Sequence, residues 1–195
     1  MRYVVLFVLM LTVAMSFADC TVYSTDFTEK PEGWYNDLWT FSDAGAKAYF
    51  DANPGEWMEF DMISFAPPAP VRYFVPDGAD SVSIEVDHSV HGSAGEGYAY
   101  ARFYVETPSA GSTLIYEQVA YWYDSFSDDD AIVYTIIDPP NGTYLGFHFH
   151  AEAAADPSTG SGKIDWELYH MEVTAYGSSM SMEVNTWAGI KSSLF

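Results

Sequence analysis

Apolar and polar residues alternate along three long segments of the chain, and this period of two restricts the fold more than any other feature. The segments are residues 81–90, 97–106 and 143–153. Their apolar positions are Val82, Ile84, Val86, Val90; Ala99, Ala101, Phe103, Val105; and Leu145, Phe147, Phe149, Ala151. Side chains alternate between the two faces of an extended strand, so each segment is predicted to be a half-buried antiparallel strand. No helical period occurs before residue 180, which indicates an all-β protein.

Further strands are predicted where apolar, β-branched and aromatic residues cluster between turns. They cover residues 21–27, 57–65, 71–75, 113–123, 131–137 and 163–176. Turn-forming sequences separate them, among them Asn53-Pro54-Gly55, Pro76-Asp77-Gly78 and the segment 139–142. Many short strands at this spacing are typical of a sandwich or a barrel. We predict one antiparallel β-sandwich domain over residues 19–177, with no internal repeat.

The N-terminus has the pattern of a secretory signal peptide over residues 1–18. Arg2 is the only charge before Asp19, residues 4–14 are almost purely apolar, and small residues stand at positions 16 and 18. The apolar run is shorter than the ~20 residues that a membrane-spanning helix needs. We therefore predict cleavage after Ala18, export to the cell exterior or surface, and no membrane span.

The only cysteine, Cys20, lies close to this cleavage site and raises the alternative of a lipoprotein. Bacterial lipoproteins carry a small residue before the acylated cysteine and usually leucine three residues before it, whereas this chain has Asp19 and Phe17. We therefore predict export without lipidation. A single cysteine also excludes an internal disulfide, so the core must supply the stability of the domain.

The chain is strongly acidic, with 28 acidic and 7 basic residues and a net charge of −21. The negative electrostatic potential of such a chain repels nucleic acids and anionic membrane surfaces, so neither is expected as a partner. It suits solubility outside the cell and offers many carboxylates to calcium. An aromatic content of 17% is too high for a disordered chain.

The composition changes after residue 177. Residues 178–195 are predicted to be a Ser/Met-rich linker followed by a short amphipathic tail. One or two helical turns, capped by Asn185 or Thr186, would place Trp187, Ile190 and Leu194 on one face.

Several short motifs stand in the order found in one group of bacterial surface domains. They are Asp26-Phe27, Pro31 with Gly33-Trp34, Trp39 with Phe41, the Trp57 strand, the segment 144–149 and Ile164-Asp165. In these motifs the chain resembles the choice-of-anchor and cleaved-adhesin domains, which are distantly similar to MAM and galactose-binding-like domains. The resemblance covers most of residues 21–176. It implies a jelly-roll sandwich, a role at a bacterial surface, and Asp165 as a calcium ligand.

The outward positions of the three alternating strands are candidates for a ligand-binding face. If these strands are neighbours, one face carries Glu85, Asp87, Tyr98, Tyr100, Arg102, Tyr144, His148 and His150. Aromatic rings offer flat apolar surface to sugar rings, while carboxylates and arginine hydrogen-bond hydroxyl groups. The pattern therefore predicts carbohydrate binding. The alternative is a covered or solvated face on which tyrosine serves as a good strand former.

Two patterns are compatible with bound metal. His148 and His150 point the same way and could hold two corners of a metal site completed by Glu152, His91 or Asp87. Structural or surface histidines without a metal are the alternative. The segment 124–130 reads as an acidic loop in which Asp128 and Asp130 are candidate ligands of structural calcium. Solvated charge is the alternative for these aspartates.

The sequence contains no recognisable catalytic motif. Gly-x-Ser-x-Gly, His-Glu-x-x-His and a phosphate-binding glycine loop are all missing from it. Carboxylate pairs such as Glu85 with Asp87 arise by chance among 28 acidic residues. We therefore expect a non-enzymatic binding or adhesion domain whose partner is a glycan or another cell-surface molecule. A protein that assembles with copies of itself into a surface layer or filament is the alternative, and a glycoside hydrolase comes third.

Overall fold

The computed structural model describes residues 18–68 and 70–177, which form thirteen strands and no helix. The predicted signal peptide, apart from its last residue Ala18, and the predicted tail over residues 178–195 lie outside the described residues. The strands are β1 Ala18–Thr25, β2 Tyr35–Asp37, β3 Thr40–Ser42, β4 Gly45–Ala52, β5 Trp57–Ile63, β6 Tyr73–Phe74, β7 Ser81–Ala94, β8 Gly97–Thr107, β9 Gly111–Tyr121, β10 Asp124–Asp128, β11 Ile132–Ile137, β12 Tyr144–Ala155 and β13 Gly162–Gly177.

The strands form two antiparallel sheets that pack face to face. The first sheet has the order β10-β7-β13-β4-β3, with β11 also beside β7 and β1 also beside β13. The second has the order β2-β5-β12-β8-β9, with β6 also beside β12. The chain crosses between the sheets from β4 to β5, from β7 to β8, from β9 to β10 and from β12 to β13, while β8 and β9 form a hairpin within one sheet, so that β4-β13-β7-β10 faces β5-β12-β8-β9. This is the strand order of a jelly roll, and the predicted fold class is confirmed.

The predicted alternation is confirmed in the core. All twelve apolar positions of the three alternating segments are buried. Phe149 of β12 stacks on Phe103 of β8 with ring centroids 4.5 Å apart, and its edge meets Trp166 of the opposite sheet at 5.8 Å. The two sheets therefore meet through aromatic rings contributed by the central strands.

Three of the aromatic residues in the motifs of the resemblance also lie in this core. Phe27, Trp34 and Trp39 are buried. The indole nitrogen of Trp34 donates a hydrogen bond to the Tyr73 hydroxyl at 2.7 Å, and the Trp39 ring lies 5.5 Å from Trp166. These motif residues stabilise the fold, so they are not available as ligand contacts.

The sequence missed the short strands β2 and β3 and the longer strand β4. The inward positions of β4 are held largely by alanines, including Ala46 and Ala48, whose small side chains give a weak hydrophobic signal. Ala48 lies opposite Trp166 in the register of β4 and β13, where a small side chain leaves room for the indole ring. Burial alone therefore does not require bulky residues at every inward position.

The prediction of an acidic loop over residues 124–130 is wrong for residues 124–128, because these residues form the strand β10. It pairs with the end of β7, from Asp124 opposite Ala94 to Asp128 opposite Val90. The Phe126 ring fills the space above Gly92, where any side chain on that glycine would collide with it. Backbone pairing and this ring contact outweigh the low strand propensity of the aspartates.

Candidate functional site

The outer face of the second sheet gathers most of the predicted ligand residues. Strand β12 lies between β5 and β8, and His150 is opposite Asp61 on one side and Arg102 on the other. The outward side chains of these three strands define what we call the β5–β12–β8 face. They are Trp57, Glu59 and Asp61 of β5, Tyr98, Tyr100, Arg102 and Tyr104 of β8, and Tyr144, His148, His150 and Glu152 of β12.

Glu85 and Asp87 do not belong to this face, and the prediction that all three alternating strands share one surface is wrong for β7. Strand β7 lies in the first sheet, where both carboxylates are exposed on the opposite side of the sandwich. Sheets packed about 10 Å apart with a filled core cannot bring their outer side chains together. The same geometry removes Asp87 and His91 as partners of His148 and His150.

Three side chains at the centre of the face converge on one point. The Asp61 Oδ1 atom lies 2.7 Å from His148 Nε2 and 2.9 Å from His150 Nδ1. Partial burial would raise the pKa of Asp61, but hydrogen bonds from the two imidazoles outweigh it and hold that pKa well below its usual range. Asp61 is therefore an ionised acceptor, and the two facing ring nitrogens carry hydrogen.

Glu152 is a buried carboxylate that joins the three strands of the face. Its Oε1 accepts hydrogen bonds from the Trp57 indole nitrogen on β5 and from the Tyr98 hydroxyl on β8. Its Oε2 lies 3.8 Å from His150 Nε2. Partial burial and the bond to Glu152 raise the pKa of Tyr98 to about 12, so the phenol keeps its proton.

A row of aromatic side chains crosses one end of the face. The register sets Trp57 opposite Ala154, Ala154 opposite Tyr98, and Tyr98 opposite Tyr121 of β9. Trp57 is 57% exposed and Tyr121 is 53% exposed. Since adjacent strands lie about 4.8 Å apart, this aromatic row spans about 14 Å, with the small Ala154 between two rings.

Tyr100 and Arg102 extend the face beside the aromatic row. The Tyr100 ring stacks on Tyr98 at 5.7 Å, and the Arg102 guanidinium lies 4.1 Å from the Tyr100 ring centroid. Arg102 also pairs with Glu117 of β9 at 2.7 Å. These contacts hold a planar cation and a carboxylate next to partly exposed rings.

Sequence reasoning missed the contribution of β5 to the site. The predicted strand 57–65 alternates in a way that places Trp57, Glu59 and Asp61 on one side, opposite Met58, Phe60 and Met62. That signal was present in the sequence. What it lacked was the information that β5 is the neighbour of β12.

The three calcium candidates, Asp128, Asp130 and Asp165, lie in the first sheet or at its edge, where the carboxylates of Asp128 and Asp165 have local partners. Asp128 accepts hydrogen bonds from the Tyr116 hydroxyl at 2.9 Å, from the Gln118 amide at 3.2 Å and from the Asp130 backbone at 3.1 Å. On β13, Asp165 Oδ1 forms an ion pair with the Lys47 ammonium at 2.8 Å. Calcium binding at these residues stays a prediction. Within residues 18–68 and 70–177, only Asp61, His148 and His150 bring three ligand atoms within 4.8 Å of one another.

The described part of the chain contains no helix of the length and apolarity that a membrane span requires. The sequence matches no known protein-family model, and comparison with curated proteins finds no match. The choice between functions therefore depends on the chemistry of the β5–β12–β8 face.

Proposed function

We propose that this protein is an exported, non-enzymatic binding domain that recognises glycans through the β5–β12–β8 face. The observation that carries the proposal is the aromatic row, in which Trp57 and Tyr121 expose more than half of their surface on either side of Tyr98. Soluble proteins have little reason to expose several aromatic rings in line unless the rings contact a ligand. The apolar faces of sugar rings match such surfaces.

Fixed polar groups beside the row supply hydrogen bonds for sugar hydroxyls. Arg102 and Glu117 hold each other at 2.7 Å on the outer surface, and each keeps hydrogen-bonding capacity for a ligand. Glu152 fixes the orientations of Trp57 and Tyr98 through the two bonds to its Oε1. A surface that is already ordered loses less entropy when a ligand binds.

The net charge of −21 narrows the class of glycan. A strongly negative surface repels sulfated and sialylated chains, since like charges raise the free energy of association. We therefore expect neutral oligosaccharides, long enough to contact two or more rings of the row. The signal-peptide pattern and the resemblance to surface adhesion domains agree with this role.

A neutral-glycan array, followed by calorimetry on the hits, tests the proposal with Trp57→Ala and Tyr121→Ala. Each substitution removes an exposed ring, so each should weaken binding by tenfold or more, equal to about 1.4 kcal/mol. Tyr49→Ala is the matched control, because Tyr49 is 48% exposed on the outer face of the first sheet. Equal affinities for all four proteins, or no glycan bound by the wild type, would contradict the proposal.

Self-assembly is a second candidate, and the strand β11 favours it. Within the described residues, β11 pairs with β7 alone, and Val133 and Ile137 are exposed on it. An apolar edge strand is a template for pairing with another chain. Analytical ultracentrifugation over a wide concentration range should then detect oligomers that Val133→Lys abolishes. A wild type that stays monomeric throughout would reject this candidate.

A further inference from the structure

The cluster of Asp61, His148 and His150 has a donor set that the glycan-binding proposal does not use. Two imidazole nitrogens and one carboxylate oxygen are typical ligands of zinc and related transition-metal ions. Hard cations such as calcium and magnesium prefer sites made of oxygen atoms alone, so they do not fit this set. The residues come from two paired strands, which hold their backbones in a fixed register.

The spacing of the donors is close to that of a metal centre. Zinc bonds of about 2.0–2.1 Å place tetrahedral ligands about 3.3 Å apart. The Asp61 Oδ1 atom lies 2.7 Å from His148 Nε2 and 2.9 Å from His150 Nδ1. Both separations are about 0.4–0.6 Å shorter than in a tetrahedral site. All three ligand atoms lie within 4.8 Å of one another, so small side-chain rotations would open room for the ion.

Glu152 is positioned to fix the hydrogen of His150 once a metal is bound. If Nδ1 binds the ion, the ring hydrogen must sit on Nε2, and this atom faces the Glu152 Oε2 at 3.8 Å. The other oxygen of Glu152 is already held by Trp57 and Tyr98. A carboxylate that accepts the distal N–H of a ligand histidine orients the ring and raises its basicity.

Neighbouring rings hold the imidazoles in place while leaving the cluster open to solvent. Tyr104 stacks on His148 at 5.3 Å, and Tyr100 lies 5.4 Å from His150. The side chains of Asp61, His148 and His150 are 20%, 21% and 12% exposed, so an ion can enter from water. Three protein ligands leave a fourth position for a water molecule.

We propose that Asp61, His148 and His150 bind one Zn²⁺ ion on the β5–β12–β8 face, with Glu152 accepting the Nε2–H of His150. The ion would join β5 to β12 beside the aromatic row. This site does not depend on glycan binding, so either proposal can fail while the other stands.

Isothermal titration of untagged mature protein with zinc chloride tests the site, in a Cys20→Ser background that removes the thiol as a competing ligand. One ion per chain should bind, and Asp61→Asn or His148→Ala should weaken it at least tenfold. Glu152→Gln should weaken binding by roughly 10–100-fold, the usual effect of losing a carboxylate that orients a ligand histidine.

His170→Ala is the matched control. His170 Nδ1 also faces an aspartate, Asp26, at 2.7 Å, but this pair belongs to no three-ligand cluster among the described residues. Its loss should leave zinc affinity unchanged. No zinc binding by the Cys20→Ser parent, or equal affinity in the Asp61 and His148 variants, would overturn the proposal.

A second measurement covers the case in which a variant does not fold. During a zinc titration of the wild type, the histidine NMR signals of His148 and His150 should shift together and saturate at one equivalent, while those of His170 stay in place. Shifts confined to other histidines would also overturn the proposal.

Discussion

Replacing Phe149 of β12 by alanine should strongly destabilise the domain. The ring has no exposed surface and lies between Phe103 at 4.5 Å, Phe27 at 5.7 Å and Trp166 at 5.8 Å. Phenylalanine-to-alanine substitutions in cores cost about 3–5 kcal/mol, and the cost increases with the volume of the cavity that remains. Because the flanking rings of Phe103 and Trp166 belong to strands of the two different sheets, we expect little collapse and a loss of about 4–5 kcal/mol.

Chemical denaturation of the wild type and of Phe149→Ala measures this loss of free energy of unfolding. The comparison is valid when that free energy has the same dependence on denaturant concentration in both proteins. The melting temperature of a domain of this size should also fall by about 8–20 °C, at about 2–4 °C for each kcal/mol. Phe74→Ala is the control, since Phe74 is largely exposed on β6 and should change stability by less than about 0.5 kcal/mol. Should Phe149→Ala fail to fold, Phe149→Leu gives a smaller cavity and an intermediate loss. A loss below about 1.5 kcal/mol for Phe149→Ala would refute the reasoning that the sheets meet through this ring.

Two further predictions concern acid stability and close backbone packing. Partial burial opposes ionisation of Asp128, but hydrogen bonds from Asp130, Tyr116 and Gln118 outweigh it and lower the pKa of its carboxyl below 3.8. The unfolded chain therefore binds more protons, so this contribution is complete above about pH 4 and is lost as the pH falls through the folded-state pKa. The stability difference between wild type and Asp128→Asn should shrink below pH 4 in thermal melts, and a constant difference would contradict this assignment. Gly97→Ala should lower the free energy of unfolding by about 1–3 kcal/mol or more in denaturant titrations, because the new Cβ would overlap the backbone oxygens of Ala154 and Ser161. Gly95→Ala is the control and should lower it by less, because the new Cβ would collide only with the Ser161 hydroxyl, which can move.

The division of each long strand into an inner and an outer face could be predicted from the sequence. Val82, Phe103 and Phe149 are inward and Tyr98, His148 and His150 are outward, as their period of two requires. The prediction of inward and outward positions succeeds because successive side chains of any extended chain point to opposite sides, whichever strand it pairs with. The all-β class follows from the same local rule.

Which strands are neighbours depends on the tertiary structure. β7 and β8 follow each other in the sequence and have the same alternation, yet they lie in different sheets, so Glu85 and Tyr98 are on opposite surfaces. β5 and β12 are far apart in the sequence, and the approach of Asp61 to His150 comes only from their pairing. Side-chain parity is a local property of one strand, whereas pairing depends on core packing and on contacts between distant segments. The sequence therefore determined which side chains point outward, and only the folded sandwich decided that Asp61, His148 and His150 meet.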